Sequence, residues 1–290
     1  MTGFMKLQFF QNSKVVFIAV LVVMATSCSI KTMYKQLDYF IPSYVEGMVS
    51  LDSILEKKVD QRTLALINWH RNTQLEKYAT WLGVIQRDAN QQLTEEKILQ
   101  HFATLNGFWQ SLSLKLNEEM VTLLPLLNSE QREELFSNIE DNNDEFREDS
   151  VAIDNDERIE KYIDRMIDIY ESWLGNLTNE QENTVKLAAT QMRVTSELRL
   201  KRRLQWQQSI KRILETSDSK TQKVASLEKY FISFNKKDNV ALNTADKINK
   251  EIIARLTLQI VHSMTSEQNT HFVSKTNDYI RMFTELVQER

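Results

Sequence analysis

Apolar side chains recur every three or four residues between residues 98 and 123. This spacing returns each of them to one face of an α-helix and predicts a single long helix. The positions are Ile98, Phe102, Leu105, Trp109, Leu112, Leu116, Met120 and Leu123. The same period recurs elsewhere, and the 290 residues include only five glycines and two prolines, the residues that most often interrupt helices. We therefore predict an all-α fold, an elongated antiparallel helical bundle of long helices.

Breaks in the apolar period divide the chain into predicted helices. We expect helices over about residues 50–88, 95–124, 129–174, 179–215, 221–234, 242–262 and 266–289. Pro42 is expected to interrupt a short helix or arm over 31–47, and Pro125 is expected to end the second long helix. Gly175 is expected to end the third long helix, because glycine accepts the left-handed conformation of a C-cap. The acidic and asparagine-rich stretch 140–160 predicts a solvated or irregular middle in that helix.

Four predicted helices start with a similar local pattern, in which an apolar residue precedes Thr or Asn. The cap residues are Thr94, Asn128, Thr178 and Thr265. The last three have a glutamine three residues later, which predicts capping boxes, because that side chain can accept from the cap's own N–H. The form Leu177-Thr178-x-x-Gln181 also resembles the motif of small periplasmic helical chaperones of envelope stress. A capping box alone accounts for the same sequence pattern.

The N-terminal segment has the pattern of an export signal. Lys6 and Lys14 precede an apolar run over 15–24, and the small residues at 25–27 precede Cys28, the single cysteine. This is the order of a secretory signal peptide, and a cysteine directly after the small residues resembles a bacterial lipoprotein signal, in which the thiol is lipidated. A transmembrane helix is one alternative, but the apolar run has about half of the about 20 residues that a span requires. An ordinary buried thiol is the other.

The lipoprotein interpretation divides the chain into three parts. They are a signal peptide at 1–27, a tether with a short N-terminal arm at 28–48, and a single all-helical domain at 49–290. In the bacterial lipoprotein rule, the absence of Asp after Cys28 implies transfer to the outer membrane, so the domain is expected to face the periplasm. Removing 1–27 takes away two lysines and no acid, which leaves 34 basic against 40 acidic residues and a net charge of −6. This mild acidity argues against a nucleic-acid partner.

The sequence patterns of common catalytic and metal sites are absent. A di-iron bundle requires an acid three residues before a histidine. The four positions hold Ile67, Ile98, Gln259 and Gln268. One cysteine is too few for a cysteine-based zinc site, and the acidic run at 141–145 lacks the glycine of a calcium loop. Glycine-rich phosphate loops and the Gly-x-Ser-x-Gly elbow do not occur. We therefore predict no metal, no cofactor and no enzymatic activity, and the oligomeric state stays open.

The best candidate for a binding site is the tripeptide Trp69-His70-Arg71. Successive residues of a helix point about 100° apart, so these three side chains do not all face one ligand. The structural alternative, which we favour, places Trp69 in the core and pairs His70 and Arg71 with acids between Glu140 and Glu160.

A basic run in the fourth predicted helix is a second candidate surface. It includes Arg199, Lys201, Arg202 and Arg203. These residues either form a solvated face that pairs with the preceding acidic helix, or contact anionic lipid or lipopolysaccharide head groups. Each basic residue near such a surface contributes about 1 kcal/mol.

Several features together resemble the uncharacterised bacterial lipoprotein family of the DUF6279 type. They are Cys28, Trp69-His70-Arg71, Tyr78-Ala79, Leu127-Asn128-x-x-Gln131, Trp173 and Gly175-x-Leu177-Thr178-x-x-Gln181. The family often has a proline where this chain reads Gln74-Leu75-Glu76. Whether the helix breaks at this point is therefore an open question. The resemblance implies a helical architecture and a lipid anchor, and no activity is assigned to the family.

The function that we expect from the sequence is contact in the cell envelope. The protein would be lipid-anchored at the outer membrane, non-enzymatic, and bound to a membrane surface or to an envelope protein partner that stays unidentified. The alternative is a periplasmic chaperone or envelope-stress adaptor.

Overall fold

The computed structural model describes residues 27–236 and 239–289, which form helices and no strand. The α-helices are α1 (Ser27–Lys35), α2 (Leu37–Met48), α3 (Ser53–Thr73), α4 (Leu75–Asn90), α5 (Glu95–Leu123), α6 (Ser129–Phe146), α7 (Asn155–Leu174), α8 (Asn179–Gln191), α9 (Ser196–Glu215), α10 (Lys220–Lys236), α11 (Val240–His262) and α12 (Ser266–Gln288). The all-α prediction is confirmed. The predicted signal peptide lies outside the described residues apart from Ser27. Among the helices described, none combines the length and apolar character that crossing a bilayer requires.

Local signals set many of the helix ends. Capping boxes are present at Asn128, Thr178 and Thr265, as predicted. The Thr94 hydroxyl accepts from the backbone N–H of Lys97 at 3.3 Å. Gly175 ends α7 with a φ of +78°, a conformation that glycine adopts without a steric penalty. Pro125 lies in a 3₁₀ turn directly after α5.

Pro42 lies inside α2, so the predicted interruption at this residue is wrong. The chain turns at Gln36 instead, whose carbonyl accepts from the backbone N–H groups of Tyr39 and Phe40, both at 3.0 Å. A proline removes one helical hydrogen bond, the one to the carbonyl four residues earlier. That residue is Asp38, which is exposed, so water can replace the missing donor.

The predicted helix over 50–88 is divided at Gln74 into α3 and α4. The two halves pack against different neighbours, since α3 contacts α2 and α5 whereas α4 contacts α12. The buried positions are Leu55, Val59, Thr63 and Ile67 in α3, and Leu75, Tyr78 and Leu82 in α4. The break at Gln74 therefore allows each apolar face to meet its own partner helix.

The predicted helix over 179–215 is also divided, because α8 ends at Gln191 and α9 begins at Ser196. A side chain from α11 holds the backbone in between. Asn249 accepts from the Arg193 N–H at 2.7 Å and donates to the Arg193 carbonyl at 2.9 Å. The predicted irregular middle of the 129–174 segment is confirmed by a π-helical turn at Arg147–Val151.

The apolar core forms clusters between groups of helices. One cluster joins α7, α8, α11 and α12, and its most buried members include Val185, Leu256 and Ile260. Another joins α1, α4, α5 and α12 around Tyr279. The segment 28–48, predicted as a tether and arm, is helical in α1 and α2, and Ile30 of α1 is only 6% exposed within the second cluster. Helix α12 therefore connects the core to the helix that carries position 28.

Candidate functional site

His70 lies near the C-terminal end of α3 between two tyrosine hydroxyls. Its Nδ1 is 3.0 Å from the Tyr34 Oη, and its Nε2 is 3.2 Å from the Tyr78 Oη. Tyr34 belongs to α1 and Tyr78 to α4, so the imidazole joins three helices. The Tyr78 ring packs edge-on against Phe108 and Phe283, with centroids 4.8 and 5.9 Å away. We call Tyr34, His70 and Tyr78 the imidazole cluster.

Burial keeps the imidazole cluster uncharged. It lowers the pKa of His70 from 6.5 to about 4, because an imidazolium loses its hydration in an apolar setting. It also raises the pKa of Tyr34 to about 12 and raises the pKa of Tyr78. A neutral imidazole has one N–H donor and one acceptor nitrogen, so one tyrosine hydroxyl accepts from the ring and the other donates to it. Both ring nitrogens are therefore engaged within the bundle.

Arg71 and a set of ion pairs bind α1 to the end of α12. The Arg71 guanidinium lies 5.9 Å from the centroid of the Tyr34 ring, and its Nη1 donates to the Glu289 carbonyl at 3.4 Å. The ion pairs are Lys31–Glu285 at 2.6 Å, Lys31–Glu289 at 2.9 Å and Lys35–Glu289 at 2.7 Å. Exposed pairs of this kind contribute about 1 kcal/mol or less each, whereas the hydrogen bonds of the imidazole cluster are partly buried. Together these contacts form what we call the α1 clamp.

The predicted pairing of His70 and Arg71 with acids between Glu140 and Glu160 is wrong. Their partners lie on α1, on α4 and at the end of the chain. Trp69, which was expected in the core, is only partly buried, and its ring centroid is 6.3 Å from that of His70. Sequence reasoning missed Tyr34, because 36 residues separate it from His70 and no periodic pattern links the two.

The second motif joins the starts of two helices. Thr178 and Gln181 form a capping box at α8, and Leu177 is buried in the core. The Gln181 and Gln268 side chains also hydrogen-bond to each other, with distances of 3.0 and 2.8 Å. Gln268 belongs to the capping box of α12. The Leu-Thr-x-x-Gln sequence pattern is therefore explained by a buried contact between the starts of α8 and α12, close to Gly175 at the end of α7.

The four basic residues of the second candidate surface have different surroundings. Arg199 forms an ion pair with Asp246 of α11. Arg202 lies 5.3 Å from the Phe234 ring centroid, and Arg203 lies 5.9 Å from that of Phe146. Burial lowers the pKa of Arg203, against smaller opposite effects of Tyr44 and Glu140. Lys201 is exposed. Arg199 therefore pairs with α11 and not with the preceding acidic helix, whereas Arg203 lies beside Phe146 at the end of α6.

An open groove of about 430 Å³ lies between α8 and α11. Its lining includes the apolar residues Leu187, Ala188, Ile252 and Leu256. Leu187 is 66% exposed. Glu180 and Arg255 supply charges of opposite sign to the same lining. The groove therefore has a mixed lining in which Leu187 is the exposed apolar residue, near the end of α12 opposite the α1 clamp.

Comparisons with known proteins identify the family. Within residues 27–236 and 239–289, no three His, Cys, Asp or Glu side chains gather in a way that could hold a metal ion. A search of curated proteins and a search of solved structures each found no match. Residues 48–230 match a family model described as a family of unknown function, DUF6279. This match includes His70, Tyr78, Gly175 and Gln181, and it leaves α1, α11 and α12 outside. Because the match covers more than half of the chain, the protein belongs to the DUF6279 family, whose function is unknown.

Proposed function

We propose that this protein is a non-enzymatic, lipid-anchored protein of the bacterial cell envelope. It is held at the outer membrane, faces the periplasm, and acts through contacts with a protein or a membrane surface. The observation that carries the proposal is the α1 clamp. The helix that contains Cys28 is bound to the domain through the burial of Ile30 and the contact between Tyr34 and His70. An acyl chain on Cys28 therefore holds the bundle itself close to the bilayer.

The state of the candidate residues supports contact over catalysis. A general base needs a free nitrogen within reach of its substrate, whereas both nitrogens of His70 face tyrosine hydroxyls. The amides of Gln181 and Gln268 are likewise engaged with each other. These side chains join helices, so we assign the function to the surfaces of the bundle.

Cell fractionation with the Cys28→Ser variant tests the anchor and the contacts together. We expect the parent protein in the outer-membrane fraction and the variant in the periplasmic extract. Cross-linking in cells should give adducts of defined mass for the parent and lose them for the variant. Ser29→Ala is the matched control, because it changes the neighbouring residue and keeps the thiol. An unchanged distribution of Cys28→Ser would overturn the proposal.

The groove between α8 and α11 favours a second candidate function, that of a periplasmic chaperone or stress adaptor. The exposed Leu187 in this groove is an apolar contact on which an unfolded client can bind. The test is suppression of the aggregation of reduced insulin at equimolar amounts. Leu187→Asp should abolish the suppression, and Leu64→Asp, at a residue that is 50% exposed on α3, should retain it. Equal activity of the two variants would remove this candidate.

A further inference from the structure

Helix α1 is attached to the bundle by a small number of contacts. It packs chiefly on α12, with a smaller contact to α2. Of residues 30–35, Ile30 alone is buried, and Tyr34 packs partly buried against the same core cluster. The helix has nine residues, a length that is not stable by itself in water. The helical state of α1 therefore depends on the α1 clamp.

The helices beneath α1 are joined by contacts that α1 does not make. Helices α4 and α12 share the most extensive contact between any two of the described helices. Their rings Tyr78 and Phe283 have centroids 5.9 Å apart, and Phe108 of α5 lies 4.8 Å from the same tyrosine. Removal of α1 would therefore uncover part of this cluster and leave α4, α5 and α12 packed together.

His70 connects the attachment of α1 to the protonation of one imidazole. The neutral ring accepts from one tyrosine hydroxyl and donates to the other. An imidazolium has two donors and no acceptor, so the hydroxyl that donates to the neutral ring loses its partner, and the buried charge lacks hydration. Moving α1 away admits water to the charged ring, whereas moving α4 would disrupt its large contact with α12. Helix α1 is therefore the element that yields.

The titratable groups around His70 give an imidazolium no acidic partner. Burial is the cause of the lowered pKa of His70. The two acids nearby, at the end of α12, are engaged with lysines of α1. Bonds from Lys35 and Lys31 lower the pKa of Glu289, so these pairs persist until the solution is more acidic than the ordinary pKa of a glutamate. The groups considered are Lys31, Tyr34 and Lys35 of α1, Arg71 of α3, Tyr78 of α4, and Tyr279, Glu285 and Glu289 of α12.

We propose that α1 is an acid-sensitive latch, which protonation of His70 releases from the bundle while the helices beneath it stay folded. The closed latch excludes the proton and the open latch accepts it, so acid favours opening. If His70 changes from a pKa of about 4 to its ordinary 6.5 on release, the equilibrium constant for opening should rise about 20-fold from pH 7 to pH 5. In an anchored protein, opening would leave the bundle attached to Cys28 by an unfolded segment. That consequence rests on the proposed function, whereas the latch itself does not.

Native-state hydrogen exchange of the full chain tests the latch. The protection factor of a peptide over residues 30–36 should fall about 20-fold from pH 7 to pH 5. It should lie below the protection factor of a peptide over 252–260 in α11, and dilute urea should change it little, because opening α1 exposes little surface. One protection factor and one urea dependence for both peptides would show that α1 opens only with the whole fold, which would overturn the proposal.

Two variants assign the acid response to the imidazole. In His70→Gln, the protection of residues 30–36 should change by less than about twofold over this pH range. Glu289→Gln is the matched control, because it weakens the α1 clamp and keeps the imidazole. It should lower the protection at both pH values and retain the ratio of about 20 between them. The same ratio in His70→Gln would overturn the role of His70.

Nuclear magnetic resonance titration of His70 in the full chain tests the latch without a variant. We expect the ring to stay neutral at pH 5 in the closed form. A His70 that titrates near its ordinary pKa of 6.5 while α1 stays protected from exchange would overturn the proposal. An unmodified Cys28 in the native protein would instead refute the proposed function and leave these results unchanged.

Discussion

Acidification should destabilise the protein through His70, and the structure gives the size of the effect. The pKa of His70 is lowered from 6.5 to about 4 by burial. Between these values the unfolded chain binds a proton that the folded protein does not, so stability falls as the pH falls. The difference corresponds to about 3 kcal/mol of unfolding free energy between about pH 7 and about pH 4.

The assay is urea denaturation of the parent protein and of His70→Gln across this pH range. Carboxyl groups with lowered pKa values, such as Asp88 and Glu140, also lose stabilising interactions in acid, but they are present in both proteins. The difference between the two free energies of unfolding isolates the imidazole. We expect the advantage of the parent over His70→Gln to shrink by about 3 kcal/mol from about pH 7 to about pH 4.

His262→Gln is the control, because it removes a histidine from an exposed position. Its difference from the parent should change far less over the same range. A constant difference between the parent and His70→Gln would refute the reasoning. It would mean that the imidazole is solvated or charged in the folded protein, and the imidazole cluster would then not exist as described.

Three further predictions concern other contacts between helices and other helix ends. Gln181→Leu removes one partner of the buried Gln268 amide and the bond from the Thr178 N–H in the capping box of α8. It should lower the free energy of unfolding by about 2 kcal/mol in urea, whereas Gln222→Leu, at an exposed helix start, should change it by less than about 0.5 kcal/mol. Gly175→Ala should destabilise the protein by about 1 kcal/mol in thermal unfolding, because residue 175 has a φ of +78°. The control Gly83→Ala lies inside α4 with open space around it and should stabilise the protein by about 0.5 kcal/mol. Asn249→Leu removes both partners of the Arg193 backbone, so hydrogen exchange at residue 193 should accelerate; unchanged protection would contradict the role of Asn249.

Helices and their ends could be predicted where the controlling residues are close in sequence. The capping box of Thr178 and Gln181 spans four residues, and the bonds that form it lie within that segment. Gly175 acts through its own backbone conformation, and Pro125 acts on the turn that contains it. Local patterns therefore identified the type of each element and many of its boundaries.

Breaks that depend on distant partners could not be predicted in this way. The end of α8 depends on Asn249, which lies 56 residues from Arg193. The same limit applies to the candidate site, since Tyr34 and Glu289 meet His70 and Arg71 only in the folded chain. The tripeptide Trp69-His70-Arg71 lies where α1, α3 and α4 meet, whereas the partners predicted for it were acids between Glu140 and Glu160.

The most direct test of the account is mass spectrometry of the protein isolated from its native membranes. We expect an N-terminal peptide that begins at Cys28, carries a thioether-linked diacylglyceryl group and lacks residues 1–27. The same preparation should release the protein from membranes only with detergent. A native chain that retains residues 1–27 and has a free thiol at Cys28 would contradict the anchor on which the proposed function depends.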